Sequence, residues 1–145
     1  MTPERLELNE FGPYTDPQTV NFEELQARQL FLIHGATGSG KSTLLDAICF
    51  ALYGETSGSE REGDEMRSDF ATPDDPTEVT LDFCLGNERY RVRRRPQQTL
   101  AKQRGDGTTQ KSEQATLYDR SEVEATEEDD GPNGAEDLVA YYAHS

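Results

Sequence analysis

The sequence predicts an α/β fold, a mixed sheet with an antiparallel portion and one buried helix that follows a glycine-rich loop. Three observations lead there. Leu30-Phe31-Leu32-Ile33 is a continuous apolar run of strand length, the pattern of a central strand covered on both faces. Gly35-Ala36-Thr37-Gly38-Ser39-Gly40-Lys41-Ser42 comes directly after it and matches G-x-x-x-x-G-K-[ST] in full. Val79, Leu81, Phe83 and Leu85 alternate with Thr80, Asp82 and Cys84, and Gly86-Asn87 then turns the chain into Tyr90 and Val92, so this region reads as a hairpin with one buried face.

The remaining elements follow in order. Arg5-Leu6-Glu7-Leu8 alternates as a first strand, and Gly12-Pro13 breaks it. Thr19 to Phe22 returns as a second strand, and Glu23 to Arg28 reads as a short helical or turn segment. Lys41 to Tyr53 is a helix, apolar nearly all round through Leu44, Leu45, Ala47, Ile48, Cys49, Phe50, Ala51 and Leu52, so burial on all sides is expected. Gly54 supplies its stop. Ser57 to Pro76 reads as a long loop, Pro96 to Ser112 as an exposed polar loop, and Ala115 to Tyr118 as a short strand. The chain divides into a lobe over residues 1–120 and an acidic tail over 121–145, which reads as disordered apart from a short helix over Ala135–Ala143.

Fourteen basic residues against 29 acidic ones give a formal charge of −15 in 145 residues. Eight of the acids lie beyond Arg120, where no Lys or Arg occurs; without them, 21 acids face 14 basic residues and the charge is −7. Such a surface repels nucleic acid on average, so a DNA contact requires a local basic patch. A salty cytoplasm is another source of acidic surfaces. Cys49 and Cys84 stand far apart, which implies neither a disulfide framework nor metal-ligand spacing. No signal peptide and no apolar run of membrane length is visible, and the chain reads as cytoplasmic.

The chemistry sits in Gly35 to Thr43. Glycines let the backbone curl until its N–H groups point at phosphate oxygens, and the helix N-terminus adds partial positive charge. Lys41 reaches the β- and γ-phosphates, Ser42 is the Mg²⁺ ligand, and Thr43 is placed for the α-phosphate. The expected cofactors are therefore ATP and Mg²⁺, held by Gly35, Ala36, Thr37, Gly38, Ser39, Gly40, Lys41, Ser42 and Thr43. Hydrolysis also needs a second acid on another strand and a group that positions the nucleophile. Asp82 sits in an alternating segment and faces away from the core. His34 shapes the loop rather than reacting. No catalytic residue is assigned.

Phe11-Gly12-Pro13-Tyr14 after the first strand, Leu32-Ile33-His34-Gly35, and Lys41 to Thr56 resemble the N-terminus of the SbcC family. Arg67 to Ala71 and Tyr90 to Arg94 continue the likeness, which covers roughly residues 1–120. These are ATPase subunits of a bacterial DNA double-strand-break nuclease, in the SMC-like branch of the ABC ATPases. The resemblance implies the N-terminal half of an ABC-type head. Its implied partners are a C-terminal half of the same head, an SbcD-like nuclease, DNA, and a second head clamped by ATP. The family's zinc hook, coiled coil, signature motif and glutamine loop have no match here, so the chain is expected to bind ATP but to need the other half for hydrolysis.

Arg89, Arg91, Arg93 and Arg95 share one face of a strand. They read either as phosphate-backbone contacts on DNA or as a strand face paired with Glu78, Thr80 and Asp82. Arg67 reads either as a nucleotide or DNA contact or as a loop salt bridge to Asp64 or Glu65. Two other functions stay open: a self-contained small P-loop kinase or GTPase, and a nucleotide-binding fragment without chemistry. Exposed sheet edges are expected where a missing half docks.

Overall fold

The computed structural model describes residues 1–23, 32–58, 63–121 and 140–143. Strand β1 (Thr2–Asn9) pairs with β2 (Gln18–Asn21) on one side and with β3 (Glu78–Leu85) on the other. The sheet continues through β4 (Glu88–Arg95), β7 (Gln114–Asp119) and β8 (Ala140–Ala143), in the order β2-β1-β3-β4-β7-β8. Between β4 and β7 the chain folds a separate two-stranded sheet, β5 (Gln98–Ala101) with β6 (Thr108–Lys111).

Every described pairing is antiparallel, so the expected mixed sheet is not what these residues build. The missing parallel component is the Leu30–Ile33 strand. Leu30 and Phe31 lie outside the described residues. Leu32 and Ile33 are 82% and 40% exposed and adopt no strand. An apolar run becomes a central strand only when neighbours satisfy its backbone groups and cover both faces, and no described strand pairs with this one.

The helix α1 runs over Lys41–Tyr53 and ends as expected. Gly54 takes a left-handed conformation with φ 81°, and its N–H bonds the Phe50 carbonyl at 2.8 Å. Its burial differs from expectation. Thr43, Ala47, Phe50 and Ala51 are buried against β3 and β4, whereas Leu45 and Tyr53 are 54% and 74% exposed. One sheet covers one side of a cylinder, and no described element covers the other.

The core lies between that helix and the sheet: Leu6, Leu8, Phe11, Ala47, Phe50, Ala51, Val79, Leu81, Phe83 and Val92. The β3–β4 hairpin forms, with Leu81 opposite Val92 and Phe83 opposite Tyr90. The two rings of the latter pair stack with centroids 5.8 Å apart. The expectation of one buried face does not hold for β3: Thr80 and Asp82 on its other face are buried too.

Two loop assignments change. The polar stretch Pro96 to Ser112 contains the β5–β6 hairpin, whose Gln-Thr-Leu-Ala and Thr-Thr-Gln-Lys strands lack the apolar alternation that marks a half-buried strand. In place of a helix over Ala135–Ala143, residues Ala140–Ala143 pair with β7. The rest of that helix assignment, Glu24 to Arg28 of the segment before the apolar run, and residues 122–139 of the acidic tail lie outside the described residues. No described helix is long and apolar enough to cross a membrane.

Candidate phosphate-binding site

The loop from Gly35 to Ser42 stands at the start of α1. Residues 35–39 and Ser42 are exposed, Gly40 and Lys41 are half-buried, and Thr43 is buried. Gly38 and Gly40 take φ values of 84° and 85°, which are strained for any side chain but freely open to glycine. No side chain caps the helix, and no acid sits in its first turn. The first N–H groups and the positive end of the helix dipole therefore face outward.

The Lys41 ammonium folds back over this loop. Nζ donates to the Gly35 carbonyl at 2.8 Å, to the Ala36 carbonyl at 2.7 Å and toward Ser39 Oγ at 3.4 Å. The arrangement concentrates one full positive charge and the dipole of α1 at a single exposed turn. Backbone donors and one ammonium are the groups from which anion sites are built.

Phe11-Gly12-Pro13-Tyr14 supports the loop from behind, a role not legible in the sequence. The Phe11 ring lies 5.7 Å from that of Phe50. The Gly12 N–H bonds the Met66 carbonyl at 2.7 Å, and with φ 60° its backbone passes so close that a Cβ there would sit 2.7 Å from Thr43 Cγ2. The Tyr14 hydroxyl donates to the Gly40 carbonyl at 3.3 Å, and a Cβ on Gly40 would overlap that hydroxyl. The motif and the loop are 26 residues apart, and no local pattern announces their contact.

At the other end of α1, Arg94 Nε donates to the Ala51 carbonyl at 3.2 Å, while Arg94 Nη1 bonds Glu113 at 2.6 Å. Its guanidinium also lies 6.0 Å from the centre of the Phe50 ring. A cation therefore meets an orphan carbonyl at the negative end of the dipole. Asp46 ties the following loop back to the helix by accepting from the Ser57 N–H at 3.0 Å and from its hydroxyl.

Asp82 does lie on the sheet face opposite Leu81, as alternation requires, but it is only 4% exposed. Arg91 grips it from Nε to Oδ1 at 2.7 Å and from Nη2 to Oδ2 at 2.9 Å, and Arg120 adds a 2.8 Å bond to Oδ2. The other three arginines of the strand face hold carboxylates as well. Arg89 pairs with Glu4 at 2.8 Å and Glu23 at 3.2 Å, and Arg95 pairs with Glu78 at 2.5 Å. Arg93 Nε lies 3.4 Å from Glu78 Oε1, inside ion-pair range but without hydrogen-bond alignment. The paired-face alternative thus describes the geometry of this strand.

A register shift between Pro3 and Arg5 leaves Glu4 without a partner residue in β3, and its carboxylate turns to Cys84. Cys84 Sγ lies 2.9 Å from Glu4 Oε1. Burial, then the hydrogen bond and charge of Glu4, push this thiol above its ordinary range, with Arg89 opposing. Glu4 in turn holds the Arg89 guanidinium protonated above its usual value.

The described ion pairs include none between Arg67 and Glu65, and the Asp64 side chain lies outside the described residues. Arg67 instead gathers a loop by donating to the carbonyls of Thr72 at 2.7 Å and Asp75 at 2.9 Å, and to Thr77 Oγ1 and Gln98 Oε1 at 2.8 and 3.0 Å. His34 is exposed beside the loop.

Residues 5–134 match the family described as AAA domain. The chain belongs to this family. The AAA domain here is 53% identical over 117 residues to the SbcC subunit of the nuclease SbcCD from Vibrio cholerae, covering 81% of this chain and 12% of that protein. The protein of the same name from Lactococcus lactis is 49% identical over 117 residues, 81% of this chain and 11% of that one. The one from Staphylococcus aureus (strain MRSA252) is 43% identical over 94 residues, 65% and 9% of the two chains. The AAA domain thus spans about an eighth or less of the length of these relatives.

Proposed function

We propose that this chain is the ATP-binding N-terminal half of an SbcC-like ATPase head, of the SMC-like ABC type, and that the complete protein regulates a partner nuclease at DNA double-strand breaks. The observation that carries the reading is the uncapped start of α1, with the Lys41 ammonium held at the mouth of a glycine-rich turn. The residues fit a triphosphate. Gly38 and Gly40 leave room for a close backbone approach, and Lys41 exchanges neutral carbonyl partners for charged oxygens, which make hydrogen bonds roughly twice as strong. Gly35 to Thr43 would hold the phosphates, and the Ser42 hydroxyl would be the oxygen this chain offers to Mg²⁺. Bound Mg-ATP supplies the phosphoanhydride whose hydrolysis drives the complete head. This chain's residues bind and orient it.

The same reading keeps residues 1–120 as the lobe, to whose sheet Ala140–Ala143 of the acidic stretch add an edge strand, assigns the protein to the cytoplasm, and names as partners a C-terminal half of the head, a second head, an SbcD-like nuclease and DNA. The relatives' shared name supports the nuclease partner. DNA contact through Arg89, Arg91, Arg93 and Arg95 would require release of their present carboxylates, so the structural role of that face is the better supported one. The occupation of Asp82 by Arg91 and Arg120 also weighs against a self-contained kinase or GTPase that uses this acid on Mg²⁺.

Thermal unfolding tests the binding reading. Mg-ATP at a hundred times its Kd is expected to stabilise the chain by about 2.7 kcal/mol. An unchanged midpoint at millimolar Mg-ATP would contradict it. Mixing the chain with the remaining half of a relative's head is expected to produce ATP hydrolysis that neither half shows alone.

A further inference from the structure

We propose that Tyr14 is a positioning residue for the phosphate loop and sets the affinity for triphosphate without touching it. The inference rests on the nucleotide reading above. Gly40 is the hinge between loop and helix, since its carbonyl accepts the first helical bond, from the Leu44 N–H at 3.3 Å, and its φ is 85°. That same carbonyl accepts the Tyr14 hydroxyl at 3.3 Å, and the phenol fills the space where a Cβ of residue 40 would stand. The orientation of this one peptide fixes where the Lys41 N–H and those after it aim, and the phenol bonds its carbonyl end.

Tyr14 is itself held. Its N–H bonds the Phe11 carbonyl at 3.1 Å, Phe11 is fully buried against Phe50, and the Gly12 N–H is anchored on Met66. The strut therefore begins in the hydrophobic core and ends on the loop hinge. A side chain braced in this way lowers the cost of ordering the loop around an anion, which is how preorganisation raises affinity. Because the device acts on the backbone of the loop, it serves the phosphates and not the base.

The test is calorimetric titration of the 145-residue chain and its Tyr14→Phe variant with Mg-ATP and, separately, with magnesium tripolyphosphate. Loss of one hydrogen bond to the hinge is expected to weaken both ligands by the same factor, about threefold to tenfold. The melting temperature of the free chain is expected to fall by no more than about 5 °C, the cost of one half-buried hydrogen bond. Equal affinities for variant and parent would overturn the role of Tyr14. So would a loss confined to ATP, which would mark a contact with the base, or a larger fall in the free-chain melting temperature, which would mark general destabilisation. Lys41→Ala, titrated alongside, separates the two claims. Binding by the parent that is lost in Lys41→Ala upholds the phosphate site whatever Tyr14→Phe does, and absence of binding by the parent removes both.

Discussion

Asp82 shows how much one side chain's meaning depends on its neighbours. An acid at an outward-facing position of an alternating strand reads as a solvated side chain, yet Asp82 is buried between Arg91 and Arg120, whose side chains are only 7% and 15% exposed. Taking three such charges out of water costs several kcal/mol each before they attract one another, so the cluster does not imply net stabilisation over an apolar replacement. Removing one member is a different matter. Asp82→Ala removes the carboxylate that Arg91 and Arg120 share and is expected to lower stability by about 3–5 kcal/mol in urea unfolding. Loss of nucleotide binding with unchanged stability would instead point to a role at the phosphates. Cys84 gives a second residue-scale expectation. Burial and Glu4 disfavour its thiolate, so Glu4→Gln removes a negative neighbour and frees Arg89 to favour the ionised form. Alkylation of Cys84 by iodoacetamide at mildly alkaline pH is expected to be faster in that variant; an equal rate would show that burial alone sets the thiol.

At the scale of elements, α1 is the decisive one. Its buried stripe and exposed flank predict unequal costs for two truncations that look alike in sequence. Phe50→Ala removes a core ring, 1% exposed, that Phe11 and Arg94 both pack on, and is expected to cost about 3–5 kcal/mol. Leu45→Ala, at a position 54% exposed, is expected to fall within about 0.5 kcal/mol of the parent. Equal costs by urea unfolding would mean that the outer flank of α1 is covered in solution. The ends of this helix were legible because Gly40 and Gly54 carry backbone conformations that other residues resist. Its burial was not, since an apolar surface states what a helix can bury and not whether a partner is there. The β3–β4 hairpin was legible from its alternation and its Gly86-Asn87 turn. The β5–β6 hairpin was not, because its polar strands carry no period. The place of the glycine-rich loop at the start of α1 was legible from its motif. The bracing of Gly40 by Tyr14 was not, because it joins segments brought together only by the core.

Among the described residues the main sheet is antiparallel and has two unlike faces. One packs on α1 through apolar side chains, and the other is laced by carboxylate–arginine pairs that neutralise most of its basic strand. Leu32 and Ile33, just before the loop, and Leu45 and Tyr53 on the outer flank of α1 are exposed apolar side chains. The chain's excess of acid over base makes the retention of anionic Mg-ATP depend on local charge, because the summed field of the protein opposes it. The claim on which all of this turns is that Lys41 and the open start of α1 overcome that field at one point. Isothermal titration of Mg-ATP into the chain and into Lys41→Ala tests it directly. Saturable binding by the parent and none by the variant is the predicted result; indistinguishable titrations would contradict it.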